Sequence, residues 1–185
     1  MLLAGLAPEY AALRNSTLIA PGGAPMQLAP GVAKALPLPA GKGLAMDLDL
    51  NFSLPANGGA VTFNTTVMAA SGGASGVTLI LTVPAASSDE AGSPASRTAT
   101  AQLSGNVAPT NASPFAILAG ETALSLRVLV DRSIVEWFIA DGRSAFTARH
   151  YPARSDTGVL VTADAAATVS GVAAWDMGCG WMDTA

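Results

Sequence analysis

The chain has 185 residues and a formal net charge of −4, half of its residues are apolar and 12% are charged, which suits one globular domain with a buried core and excludes a disordered chain. Only two lysines, Lys34 and Lys42, and seven dispersed arginines are present, so there is no basic stripe to gather phosphates and nucleic acid is excluded as a partner. No run approaches the roughly eighteen apolar residues of a membrane span, and Met1–Leu13, broken by Pro8 and Glu9 and lacking a basic start, does not read as a signal peptide.

The first forty residues, rich in Ala, Gly and Pro, predict an extended segment with one strand near Thr17 and Ile19. Leu44, Met46, Leu48, Leu50, Phe52 and Leu54 then alternate with Ala45, Asp47, Asp49, Asn51 and Ser53, the pattern of a strand with one buried and one wet face. A second strand is expected at Ala60–Ala69 after the Asn57-Gly58-Gly59 turn, and a third at Val77–Val83, between Gly76 and Pro84. Between Ala85 and Pro114 large apolar groups are scarce, so a long surface connection with one short strand near Thr98–Leu103 is expected, adding little core. Strong signals return at Leu124–Val130, Ser133–Ala140, Ser144–Tyr151, Val159–Ala163 and Thr168–Met177. Asp131-Arg132 and Asp141-Gly142 mark the joints of a three-stranded meander, the second being a strong hairpin signal. About eight short strands, with no internal repeat, predict an all-β sandwich or barrel, and periodicity does not choose between them.

Cys179 is the single cysteine, which excludes an internal disulfide and a multi-cysteine zinc site, and His150 is the single histidine, which leaves a His-based metal site or a Ser-His-Asp triad no spare partner. His150 is expected to be an exposed strand residue. Asp131 and Glu136 flank a short turn and are the residues that could supply a glycosidase carboxylate pair. Glu136, however, shares strand parity with Ile134 and Phe138, and is expected to be a partly buried group paired with Arg143, Arg149 or backbone donors. Trp137, Trp175, Trp181 and Tyr151 could offer flat faces to sugar rings, but Trp137 and Trp175 lie inside good strand patterns, where packing is favoured. Gly41-Lys42-Gly43 and Gly72-Gly73-Ala74-Ser75-Gly76 lack the strand-to-helix setting of a phosphate loop. Asn15, Asn51, Asn64 and Asn111 all begin Asn-x-Ser/Thr triplets, which tilts the expected origin toward a secreted or vacuolar protein; Pro114 makes the fourth a poor glycan acceptor.

The segment Leu126–Pro152 runs Leu-Arg-Val-Leu-Val-Asp-Arg-Ser-Ile-Val-Glu-Trp-Phe, then Gly142-Arg143, then Thr147-Ala-Arg149-His-Tyr151-Pro152. It resembles, in register over about 27 residues, the signature of the C-terminal sandwich of family 32 glycoside hydrolases, the invertases and fructan-cleaving enzymes. Asp131, Ser133, Glu136, Phe138, Gly142, Arg143, Thr147, Arg149, Tyr151 and Pro152 carry the match. Pro8–Arg14 is similar to that family's linker between propeller and sandwich, and Ala174-Trp175-Asp176-Met177 to its last strand.

The resemblance implies a two-sheet antiparallel, lectin-like β-sandwich, with residues 1–20 as linker remnant and leading strand and 21–185 as a single domain carrying a low-complexity insertion near 85–114. It implies a family chemistry on β-fructofuranosides such as sucrose, inulin or levan, housed in an N-terminal five-bladed propeller whose Asn-Asp-Pro-x-Gly, Arg-Asp-Pro and Glu-Cys motifs do not occur here. The matching positions belong to the sandwich signature, so no residue is assigned a catalytic role and no cofactor or metal is expected. The implied role is a non-catalytic module that supports the propeller and its cleft; the implied partners are the propeller, with carbohydrate and a second copy of the chain in addition. Two other classes stay open: a free-standing carbohydrate-binding sandwich, which aromatic side chains gathered on an exposed face would favour, and an autonomous hydrolase using Asp131 and Glu136.

Overall fold

The computed structural model describes residues 8–73, 75–86 and 97–178; Cys179, Trp181 and residues 87–96 of the Ala/Ser/Pro-rich stretch lie outside the described residues. After a 3-10 turn at Pro8–Leu13, the described residues form thirteen strands. One sheet contains β1 (Arg14–Ile19), β2 (Met26–Leu28), β4 (Ala45–Ser53), β9 (Ala123–Asp131), β10 (Ile134–Ile139), β11 (Ser144–Arg149) and β13 (Ala167–Met177). Its order is β1-β13-β4-β9-β10-β11, with β2 also paired to β13. The other contains β3 (Lys34–Ala35), β5 (Val61–Ala69), β6 (Val77–Val83), β7 (Arg97–Gly105), β8 (Ser113–Ile117) and β12 (Gly158–Ala163), in the order β3-β12-β5-β6-β7-β8. The two antiparallel sheets keep their own edges, so the architecture is a sandwich and not a barrel.

Alternation explains the layering. Met46, Leu48, Leu50 and Phe52 of β4, Leu124, Leu126, Val128 and Val130 of β9, and Val135, Trp137 and Ile139 of β10 are buried on one inner face. Val61 and Phe63 of β5, Val77, Leu79, Leu81 and Val83 of β6, and Val159 and Val161 of β12 are buried on the other. Their interdigitation is direct where Phe52 and Phe63 meet across the layers with ring centroids 4.5 Å apart, a tilted geometry worth about 1 kcal/mol beyond area burial.

The stretch from Ala85 to Pro114 corrects the expectation of a coreless connection. β7 is nine residues long, and its Ala99, Ala101 and Leu103 are buried beside Leu79 and Leu81 of β6. β8, unanticipated, adds Phe115 and Ile117 to the core. Alternation of alanine with threonine has too little contrast in hydropathy to announce a strand, and the ladder to β6 holds it in place. Pro114 lies on the sheet's edge strand, where a missing N–H donor is tolerated. The short β2 and β3 were equally invisible, having too few residues to show a period.

The meander β9-β10-β11 forms as expected. Arg132 and Ser133 make a two-residue turn between β9 and β10, and Arg132 takes φ +52°, a left-handed conformation that usually falls to Gly or Asn. The connection from β10 to β11 spans Ala140–Arg143 and is longer than a two-residue hairpin turn, with Ala140, Asp141 and Gly142 all at positive φ.

Candidate functional site

The outer face of the seven-stranded sheet carries most of the chain's organised polar chemistry. In register, Trp175, Asp47, Leu129, Glu136 and Thr147 form one row across β13, β4, β9, β10 and β11, and Ala173, Asp49, Arg127, Phe138 and Ala145 form the next. Asp47, expected on the wet side of β4, is fully buried there. The reason is a pair of arginines laid over it. Arg127 donates from Nε to Asp47 Oδ1 at 2.9 Å and from Nη2 to Oδ2 at 2.7 Å, a bidentate fork. Arg14 donates from Nε to Oδ2 at 2.8 Å, and its guanidinium lies 3.4 Å from the centroid of the Trp175 ring. Asp49 contacts both arginines at 3.7 Å.

Burial raises the Asp49 carboxyl above its ordinary value and the like charge of Asp47 adds to this, against the opposing pull of Arg127 and Arg14. The hydrogen bond to Asp47 is the first cause that holds the Arg127 guanidinium above its ordinary value. Sequence reasoning missed this cluster because its members come from three separate segments. The outward parity of Asp47 and Asp49 was the only signal available.

The signature residues are placed in several different surroundings. Gly142 takes φ +81° in the β10–β11 connection. Arg143, with a side chain only 3% exposed, donates to the Ala140 carbonyl at 2.7 Å, to the Ala116 carbonyl and to both oxygens of Glu121. It therefore ties the end of the β10–β11 hairpin to β8 and its following loop in the opposite sheet. Glu136 does not take Arg143 as a partner, contrary to expectation, since the guanidinium is committed to Glu121. Nor does Arg149, whose guanidinium lies 5.1 Å from the Tyr151 ring centroid. Phe138 is half-buried, and Thr147, Arg149 and Tyr151 are exposed, Pro152 being half-buried.

Asp131 and Glu136 do share a surface. Both line a groove of about 710 Å³ together with Tyr10, Leu13, Ile134 and Met177, Asp131 exposed and Glu136 half-buried. Beyond the Arg132-Ser133 turn, which lines both, lies a second concavity of about 600 Å³ walled by Gly41, Lys42, Gly43, Tyr151, Pro152, Arg154 and Asp176. The glycine-flanked Lys42 is thus in a pocket wall, without any helix.

Among the described residues, the candidate aromatic side chains do not gather on an exposed face. Trp137 is fully buried in the core and Trp175 lies beneath Arg14; Tyr151 is exposed. His150, expected on the surface, is instead 9% exposed and lies just beyond β11. The inward parity of Ser144, Phe146 and Ala148 carries its side chain toward the interior, and its backbone N–H donates to the Ser133 carbonyl at 2.9 Å. Asn15 and Asn51 are exposed, Asn111 is exposed in a loop, and Asn64 is half-buried with its Oδ1 enclosed. Among the described residues no group of three or more His, Cys, Asp or Glu side chains is arranged to hold a metal ion, and no helix is long and apolar enough to cross a membrane.

Comparison with solved structures places this fold beside that of fructan-active proteins. Fructan 1-exohydrolase IIa from Cichorium intybus superposes with a TM-score of 0.74 and 17% identity, covering 96% of this chain and 38% of that one. Exo-inulinase from Aspergillus awamori gives a TM-score of 0.58 at 17% identity over 93% of this chain and 31% of that one. The fructosyltransferase of A. japonicus gives 0.61 at 13% identity over 94% and 28%. The chain thus spans well under half the length of these proteins. Comparison with curated protein sequences finds no match. Residues 28–176 match the family described as "Glycosyl hydrolases family 32 C terminal", and with most of its length inside that match the chain belongs to the C-terminal domain family of the family 32 glycosyl hydrolases.

Proposed function

We propose that the chain is the non-catalytic C-terminal module of a glycosidase acting on β-fructofuranosides such as sucrose, inulin or levan, and that it packs against and stabilises a five-bladed propeller housing the two reacting carboxylates of a retaining mechanism. The groove lined by Tyr10, Leu13, Ile134 and Met177 carries this reading. Of the five exposed large apolar residues among the described residues, Tyr10 and Ile134 lie in it and Tyr151 lies across the adjoining turn, so their apolar surface is concentrated at one end of the sandwich, as at a docking face. The 3-10 turn at Pro8–Leu13, which resembles the family's inter-module linker, runs along that same groove. The structural duties of Gly142 and Arg143 support a signature that maintains the module.

The sugar-binding sandwich is the weaker reading, because Trp137 and Trp175 are engaged in packing. Exposure of Asn15 and Asn51 suits a glycosylated, secreted or vacuolar parent protein. A second copy of the chain as partner is compatible with the same exposed apolar end.

The test is fructose release from sucrose and inulin by the purified chain alone, run beside thermal unfolding of a family 32 propeller module with and without the chain. No release by the chain, and a higher unfolding temperature for the propeller in its presence, are expected. Release that disappears in Asp131→Asn or Glu136→Gln would overturn the assignment, and so would a propeller indifferent to the chain.

A further inference from the structure

The concavity beyond the Arg132-Ser133 turn has a charge balance unlike the rest of the molecule. The chain as a whole carries −4. Among the described residues, Arg14 and Arg127 are neutralised by Asp47 and Asp49, Arg143 by Glu121, and Lys42 by Asp176 at 2.8 Å. Lys34, Arg97, Arg132, Arg149 and Arg154 have no carboxylate partner among the described residues. Three of these five converge here: Arg132 and Arg154 line the concavity, and Arg149 lies against the ring of Tyr151, which also lines it.

The walls are specifically shaped. Gly43 holds φ +118° with its α-carbon so close to the Thr157 carbonyl that any side chain would collide, so the Gly41–Ala45 segment lies tight against the loop leading into β12. Arg132 sits in the left-handed region at φ +52°, a cost for a residue with a Cβ. Its backbone N–H is pinned to the Leu44 carbonyl at 2.6 Å, so the turn that presents its guanidinium is fixed to the same wall. Tyr151, 71% exposed, forms an aromatic lip. A space of about 600 Å³ suits a small molecule.

The geometry points to this concavity as a binding site for a phosphate monoester dianion. Arg132 and Arg154 supply the planar donor forks that match phosphate oxygens, Ser133 and Lys42 line the same concavity, and Tyr151 offers its exposed ring to the body of the ester. With Lys42 balanced by Asp176, the two arginines leave a net charge of about +2 in the lining, equal and opposite to a fully ionised monoester. The site shares the Arg132-Ser133 turn with the Asp131–Glu136 groove but uses neither of those carboxylates, and its test does not depend on the chain having a propeller.

Isothermal titration of the purified chain with inorganic phosphate, fructose 6-phosphate and neutral fructose in low-chloride buffer tests it. One saturable site is expected for both anions and none for fructose, with binding weakened by about tenfold in Arg132→Gly and in Arg154→Gln. Arg132→Gly suits a positive φ and Arg154 is exposed, so both variants should retain the wild-type unfolding temperature. Tighter binding of fructose 6-phosphate, lost in Tyr151→Ala, would identify an ester as the ligand; equal binding indifferent to Tyr151 would identify free phosphate at the same site. Absence of saturable binding by either anion would overturn the inference, as would binding undiminished in both arginine variants.

Discussion

Asp47 is the residue on which the outer face of the seven-stranded sheet turns. Its carboxylate is fully buried yet accepts three hydrogen bonds from two arginines, which offset the cost of taking it out of water. Asp47→Asn keeps the shape and removes the charge, leaving two partly buried guanidiniums short of a counter-ion. It should cost about 3 kcal/mol, a fall of roughly 6–12 °C in unfolding temperature for a chain of this size. Asp49 behaves in the opposite way. Its folded carboxyl is raised above the ordinary value, chiefly by burial, so the ionised form is disfavoured in the fold. That penalty is present at neutral pH and disappears as pH falls through the raised value to below the ordinary one, where Asp49 is protonated in both states. Asp49→Asn should therefore be more stable than wild type at pH 7, with the difference closing toward pH 3.5 in urea titrations. A deficit at pH 7 would show that the 3.7 Å contacts to the arginines outweigh the burial.

Among the elements, the β10–β11 hairpin depends on its connection as much as on its strands. Three consecutive residues at positive φ are held there by Arg143, which reaches across to Glu121 and the Ala116 carbonyl of the facing sheet. Arg143→Ala would leave a carboxylate and a carbonyl without their donor and should cost about 3 kcal/mol, read as a lower urea midpoint with faster amide exchange in β8. Arg143→Lys should recover only part of this, because an ammonium cannot reproduce the fork. Legibility at this scale followed the size of the side chains. β4, with Leu, Met and Phe alternating against Asp and Asn, was readable almost to its ends. β7, built from Ala and Thr, was seen only in part, and β8 not at all, since their burial depends on neighbours that local sequence does not name.

For the whole molecule, the two concavities on either side of the Arg132-Ser133 turn define one functional end. One sets Asp131 and Glu136 beside Tyr10, Leu13, Ile134 and Met177; the other is cationic with Tyr151 at its lip. The expected silence of the isolated chain in fructose release and the expected uptake of phosphate monoesters are separable outcomes, because they use opposite sides of that turn. Among the described residues, tertiary geometry also takes Trp137 and Trp175 out of any aromatic sugar platform, by placing Trp137 between the sheets and Trp175 under Arg14.

By itself the sequence determined the all-β class, the meander within Leu124–Tyr151 and the family signature, because period-two patterning and local turn chemistry are written in neighbouring residues. Only the tertiary structure decided the pairing of Arg14 and Arg127 with Asp47, the capture of Arg143 by Glu121, the burial of His150 and the convergence of Arg132 and Arg154 on one pocket. These join residues that are far apart in the chain or lie at element ends, and in antiparallel sheets such neighbours are set by strand order, which periodicity does not encode.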